Sequence, residues 1–222
     1  MSLGELYPLI ERHIQLVQAS TNKLALACVY SLQTFSERDS IYIRVIRTLA
    51  DMYGYSGDDL DYLIVAAYCV LASYQTIYDM PHMRRRRFRD HKICTHVIFG
   101  EALAYLTSLT LLSEAQRIFS GISSKEATIQ LLEMMHTDMH EFQRTSQVVA
   151  TFHEIPNTAL EQDYTNIQRM LLANVIKSVV ILCGYPLPGS DVLEQVCHAL
   201  RVEGNPSEYM HILSKLYNRN GG

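Results

Sequence analysis

The sequence lacks several features by which common protein classes are recognised. It has no tryptophan, and its 222 residues include only ten glycines and six prolines. So few chain-breaking residues argue against a loop-rich or collagen-like chain, and a hydrophobic content of 48% excludes general disorder. The net charge of −4 provides no overall attraction to nucleic acid or to anionic lipid. Composition therefore predicts a soluble globular protein that is long enough to form a sizeable core.

Cysteine pairs with the spacing of metal or redox sites are also missing. The five cysteines are odd in number, widely spaced and embedded in apolar runs, and no CxxC pair occurs. We expect buried, reduced thiols, which predicts a reducing intracellular compartment, the cytoplasm. Glu5, Glu11 and Arg12 interrupt the N-terminal apolar pattern, so it does not resemble a secretory signal. The longest uncharged run, residues 62–78, fits a core helix better than a membrane span.

Hydrophobic periodicity predicts helices throughout the chain, and no Asn-Gly or Asp-Gly pair joins alternating strands. Residues 60–78 and 97–112 are apolar nearly all round, which places both segments in the middle of a bundle. Ser123 and Glu126 have the spacing of a capping box. We therefore predict one all-α domain over residues 1–222, a single bundle of about nine helices. The predicted helices are residues 4–20, 22–35, 39–54, 58–78, 93–120, 123–153, 158–183, 190–202 and 206–218.

The densest charge feature is the segment Met83–Arg89, between the two apolar helices. Each guanidinium presents a rigid fork of donors, so the segment has the chemistry to bind phosphate groups. One basic loop on a net-acidic chain is weak evidence for nucleic-acid binding, and we expect no nucleic-acid partner. A solvated loop between helices explains the same residues without a ligand. The candidate diphosphate-binding residues are Arg84, Arg85, Arg86, Arg87 and Arg89.

A second polar cluster contains Glu133, His136 and His140 on one face of a predicted helix. Glu-x-x-His is a ligand spacing in di-iron bundles, but such a site needs a second copy and two further carboxylates, and no second copy occurs. A solvent-facing helix explains the cluster, so we predict no metal here and keep these three residues as the candidates if one binds. GxSxG, GxGxxG and GxxxxGK[ST] are absent, so no motif indicates a serine hydrolase or a nucleotide-binding loop.

One long stretch, residues 64–112, combines an apolar helix, the arginine-rich segment and a second helix. This stretch resembles the trans-isoprenyl diphosphate synthase family, and the resemblance extends loosely over residues 38–184. In that family an apolar helix ends in an Asp-rich DDxxD motif, an Arg-Arg pair follows, and a helix of pattern T-x-H-x-x-F-G-x-x-x-A-x-L-x-G-D-x-L-L comes next. Positions that match this pattern without gaps are His96, Phe99, Gly100, Ala104, Leu106, Leu111 and Leu112. The resemblance implies the all-α isoprenoid synthase fold.

Enzymes of that family hold Mg²⁺ between two Asp-rich motifs, and the metal ions stabilise the diphosphate that leaves the allylic substrate. The first motif falls here on Met80, Pro81 and Arg84, none of which is a carboxylate, and Asp79 lies one position early. Residues 204–216 contain no DDxxD, so we expect a chain that is short at its C-terminal end by comparison with the family.

Other ligand positions of the family are replaced as well. Its Gly-Asp pair falls on Ser108-Leu109, and its Lys-Thr pair falls near Leu172-Ala173. Its Gly-Lys-Arg-x-Arg-Pro segment falls near residues 38–43, which keep almost none of it. Of its Gly-Gln-x-x-Asp only Gln143 remains, with Ser146 in place of the acid. The positions that form the family's framework are therefore kept, whereas the positions that would contact metal or diphosphate are replaced.

The resemblance accordingly implies a degenerate, non-catalytic subunit that needs no cofactor. Such a subunit would pair with a catalytic prenyl diphosphate synthase and modulate chain elongation, or would pair with itself, and residues 93–120 suit the dimer interface. A second hypothesis is a prenyltransferase with an altered site, in which Arg84–Arg89 bind an isoprenyl diphosphate and Asp79 with distant acids such as Asp138 holds Mg²⁺. A third is a helical protein that binds an isoprenoid or another protein. Whether the chain is an enzyme stays open among these three.

Overall fold

Over the residues that the structure describes, the protein is a bundle of helices with one short hairpin, so the predicted all-α class is confirmed. The computed structural model describes residues 8–10, 12, 22–34, 40–83, 86–89, 91–151, 157–202 and 214. The helices are α1 (Lys23–Gln33), α2 (Ser40–Met52), α3 (Asp59–Tyr78), α4 (Thr95–Phe99), α5 (Glu101–Phe119), α6 (Lys125–Thr151), α7 (Asn157–Leu182) and α8 (Ser190–Val202). The hairpin strands are β1 (Phe88–Arg89) and β2 (Lys92–Ile93).

Most predicted helices match one observed helix, with ends that differ by at most two residues. The match is close because each helix is flanked by residues that stop it. Gly54 and Gly184, for example, lie just beyond α2 and α7 with positive φ, a conformation that glycine adopts at low cost. The predicted helices 4–20 and 206–218 lie almost entirely outside the described residues. The expectation of a single domain over the whole chain stays a prediction.

Helix α3 forms the centre of the bundle. It packs along α5 and also contacts α1, α2 and α7, and most of its side chains are buried. By length and composition alone α3 would be long and apolar enough to cross a membrane. Its most apolar stretch of 18 residues, however, is 61% buried inside the bundle. Burial on all sides therefore explains a helix without a polar face, as predicted for residues 60–78.

The predicted helix over residues 93–120 is interrupted. Ile93 belongs to β2, and Gly100 separates α4 from α5 with φ 86° and ψ 159°. The Gly100 N–H still donates to His96 O, and its carbonyl accepts from Ala104 N, so both helices keep hydrogen bonds across the break. Apolar periodicity continues through this glycine, which is why the pattern alone predicted one continuous helix.

The prediction that residues 97–112 lie in the middle of the bundle is wrong for one side of α5. Ala104, Leu111 and Leu112 are buried, on the helix that packs along α3. The opposite side exposes large apolar side chains, and Leu109 is 50% exposed. We call this side the α5 outer face, formed by Tyr105, Leu106 and Leu109.

The start of α6 is capped differently from the prediction. Ser124, not Ser123, acts as the cap, since its Oγ accepts from Ala127 N at 3.2 Å. Ser123 instead donates its N–H and its hydroxyl to Asp59 Oδ1, each at 3.0 Å. This pair joins the starts of α6 and α3, which are 64 residues apart in sequence. A local capping pattern contains no information about so distant an acceptor.

The segment between the two apolar helices was predicted to be a loop, and the structure pairs part of it into a hairpin. Phe88 faces Ile93 and Arg89 faces Lys92 in antiparallel register. His91 has a positive φ of 68° within the turn, which a Gly-based turn rule does not detect. Strands of two residues are also too short for the alternation that reveals longer strands.

Replacing Gly100 with alanine tests the break between α4 and α5. An added Cβ would meet nothing within 4 Å, so backbone strain alone should decide the effect. Because φ 86° with ψ 159° is a region that is essentially restricted to glycine, we expect Gly100→Ala to lower the free energy of unfolding by about 1–3 kcal/mol. Urea denaturation measures this change.

The matched control is Gly189→Ala. This glycine also has open space at the Cβ position, and its φ lies outside the left-handed region. We expect the free energy of unfolding to stay within about 0.5 kcal/mol of the wild-type value or to rise slightly. Equal losses in the two variants would contradict a strained conformation at Gly100.

Candidate functional site

The residues that align with an Asp-rich motif lie where α3 ends. Asp79 is the C-terminal cap, and its N–H donates to Gln75 O at 3.0 Å. Met80 and Met83 close a tight turn through a hydrogen bond from Met83 N to Met80 O of 2.9 Å. Asp79 and Met80 are both buried, and Pro81 is half-buried. The turn thus carries one acid, which points into the protein instead of into solvent.

Asp79 forms a buried ion pair with Arg89 of the hairpin. Arg89 Nη1 lies 2.9 Å from Asp79 Oδ2, and both side chains are less than 10% exposed. Arg89 Nη2 also donates to Thr34 Oγ1 at 2.5 Å. Since neighbouring side chains of a strand point to opposite sides, pairing of Phe88 with Ile93 leaves Arg89 directed toward the bundle. The hairpin therefore positions the guanidinium that meets this carboxylate.

Small hydroxyl side chains surround this ion pair and connect three helices. Thr34 Oγ1 donates to Ser31 O at 2.7 Å, just beyond the end of α1. Ser31 Oγ lies 2.8 Å from Thr95 Oγ1 of α4 and accepts a longer bond, 3.4 Å, from Thr76 of α3. The buried guanidinium is thus held among hydrogen-bonding partners, which reduces the cost of burying its charge.

Burial also determines the protonation behaviour of the site. It raises the pKa of the Asp79 carboxyl above its ordinary value, and the guanidiniums of Arg89 and Arg86 oppose that rise. The pKa of the nearby Cys94 thiol is raised to about 12, first by burial and then by Asp79. A thiol with such a pKa stays protonated at neutral pH, so Cys94 is a poor nucleophile here.

The other cysteines behave similarly, as the sequence predicted. None of the five cysteines forms a disulfide, and four of them are buried. Burial raises the pKa of the Cys28 thiol to about 11 and that of Cys183 likewise, and it raises the pKa of Cys69 further. The described thiols therefore show no sign of a reactive thiolate or of a redox pair.

The residues at the end of α3 do not fit a Mg²⁺ site. Mg²⁺ requires oxygen ligands in near-octahedral geometry, whereas Met80 and Pro81 offer no side-chain oxygen. The Asp79 carboxylate already forms an ion pair with Arg89. Over the residues that the structure describes, no group of three or more His, Cys, Asp or Glu side chains has an arrangement that could hold a metal ion.

The arginine segment is not gathered into one site in the described structure. Arg89 is buried, Arg86 is half-buried and Arg87 is exposed. Arg84 and Arg85 lie outside the described residues. Two buried nitrogens near Asp79, Arg89 Nε and His96 Nδ1, have no hydrogen-bond partner among the described residues. The diphosphate-binding role of these arginines stays a prediction.

The second polar cluster is exposed. Glu133, His136 and His140 all lie on α6 with exposed side chains, as expected of a solvent-facing helix. The side chain of Asp138 lies outside the described residues. The expectation that no metal binds at this cluster stays a prediction.

The remaining positions aligned with family ligands serve other purposes here. Ser108 is buried and lies 2.7 Å from Ser73 Oγ through its own Oγ, so it joins α5 to α3. Leu109, the next residue, belongs to the α5 outer face. Leu172 is a buried core residue of α7. The side chains of Gln143 and Ser146 lie outside the described residues.

A mainly apolar pocket lies between α3, α5, α6 and α7. Its cavity volume is about 40 Å³, and the empty space reaches about 400 Å³ only when the part that is open to solvent is included. Two polar residues, Asn174 and Ser178, interrupt an otherwise apolar lining. The apolar lining residues are Ala67, Val70, Leu71, Phe119, Met134, Met135, Leu171 and Val175.

Neither models of known protein families nor curated protein sequences match this chain. Solved structures do match. A geranyltranstransferase from Thermotoga maritima superimposes with a TM-score of 0.65 at 19% identity, over 86% of this chain and 70% of that one. An isoprenoid synthase family member from Thermotoga neapolitana has a TM-score of 0.65 at 17% identity, over 97% of this chain and 79% of that one.

A geranylgeranyl pyrophosphate synthetase from Geoglobus acetivorans has a TM-score of 0.62 at 17% identity, over 86% of this chain and 62% of that one. The chain has the all-α isoprenoid synthase fold. The fold-level resemblance that was drawn from residues 64–112 is therefore confirmed. At such low identity the likeness establishes the fold alone, because one fold supports different functions.

Asp79 and Arg89 each stand out in the sequence, but no local pattern pairs them. A signal was present, since an acid that directly follows a long apolar helix needs a buried partner. The partner itself is not readable from the sequence, because six basic residues fall between positions 84 and 92. Thr34, which also contacts Arg89, carried no signal of its own.

A double-mutant cycle tests the ion pair. Removing one partner leaves the other charge buried and uncompensated, so we expect Asp79→Leu and Arg89→Met each to lower the free energy of unfolding by about 3–5 kcal/mol. The double variant should recover most of that loss, because an apolar pair of similar volume leaves no buried charge. Urea denaturation of the four proteins measures the coupling, and additive losses would contradict the pairing.

Proposed function

We propose that this chain is a non-catalytic, prenyl-synthase-like subunit that pairs with a catalytic isoprenyl diphosphate synthase and modulates chain elongation. The observation that carries the proposal is the Asp79–Arg89 ion pair. Asp79 is the acid nearest to the position of the Asp-rich motif, and in this pair it binds the guanidinium of Arg89 from the same chain. Without metal-binding carboxylates the leaving diphosphate is not neutralised, and an elongation step loses its main electrostatic stabilisation.

The structural neighbours support the substrate class. Their names are geranyltranstransferase and geranylgeranyl pyrophosphate synthetase, so both act in prenyl transfer. A chain with their fold and without a fitting Mg²⁺ site at the end of α3 is suited to act through a partner that does have one. We therefore place the role of this chain in isoprenoid chain elongation, as a subunit instead of as the catalyst.

The α5 outer face supports pairing. Tyr105, Leu106 and Leu109 form an apolar row on a helix that is otherwise packed against the core. Adjacent exposed apolar side chains of this kind mark protein contact surfaces. A catalytic homologue would present the corresponding helix, so the same face serves a heterodimer with that homologue or a homodimer.

Co-expression with a catalytic trans-isoprenyl diphosphate synthase from the same source tests the proposal. We expect the two chains to copurify and the product chain length of the synthase to change. Leu109→Glu should abolish both effects, because it places a charge in the apolar row. Ile129→Glu is the matched control, since Ile129 is an exposed apolar residue on α6, and it should leave both effects unchanged.

The same experiment includes this chain alone with Mg²⁺, an allylic diphosphate and isopentenyl diphosphate. We expect no product above the blank. Turnover by this chain alone would contradict the proposal, and loss of that turnover in an Asp79→Asn variant that stays folded would establish the altered-site enzyme instead. Failure to copurify, with no change in product length, would contradict it equally.

The pocket favours a second candidate function, the binding of an isoprenoid. Its apolar lining and its two polar residues match the usual character of a site for an apolar ligand. Such binding would be compatible with a regulatory subunit, but it does not require a partner or a metal.

Thermal unfolding with farnesol in the absence of Mg²⁺ tests this candidate. A ligand that binds only the native state should raise Tm, by roughly 5 °C at a large excess over Kd. Val70→Phe should remove the shift, because Val70 lines the pocket and a larger ring fills it. Ile129→Phe, on the surface of α6, should keep it. An equal shift in both variants would contradict binding in this pocket.

A further inference from the structure

We draw no further inference here: the strongest candidate, the apolar surface that Phe88 and Ile93 form on the outer side of the hairpin, carries none because nothing in the structure shows what covers it.

Discussion

A carboxylate that is buried at the end of an apolar helix requires a partner, and much of this structure depends on how Asp79 obtains one. Arg89 supplies the charge, and Thr34, Ser31 and Thr95 supply hydrogen bonds around it. To reach Asp79, Arg89 must point into the bundle, and a strand residue that points inward turns its neighbour outward. One interaction thus closes the end of α3, fastens the hairpin and exposes Phe88.

The same interaction also bears on metal binding at the end of α3. A Mg²⁺ ion and a guanidinium compete for the same carboxylate oxygens, and here the guanidinium is part of the chain and already in place. The bundle exposes apolar surface instead, on the α5 outer face and at Phe88 and Ile93 of the hairpin. Surfaces of that kind are suited to binding, which is why the proposed roles concern partners instead of a reaction.

Much of the fold was readable from local patterns. The periodicity of apolar residues predicted α1, α2, α3, α6, α7 and α8 with small errors at their ends, because a helix satisfies its own backbone hydrogen bonds and shows its buried face every three to four residues. The hairpin and the break at Gly100 were missed, since two-residue strands and a single residue with positive φ leave no periodic trace. The site was predicted only in part: Asp79 and Arg89 were named, but their pairing was not.

By itself the sequence determined the helical class, the central position of α3, the burial of the cysteines and the absence of carboxylates at Met80 and Pro81, since each follows from residue type and local order. Tertiary structure decided which arginine Asp79 binds, where Ser123 donates its hydrogen bonds and which side of α5 stays exposed. The physical reason is distance along the chain. Contacts between residues far apart in sequence depend on how the helices pack, and no local pattern records that packing.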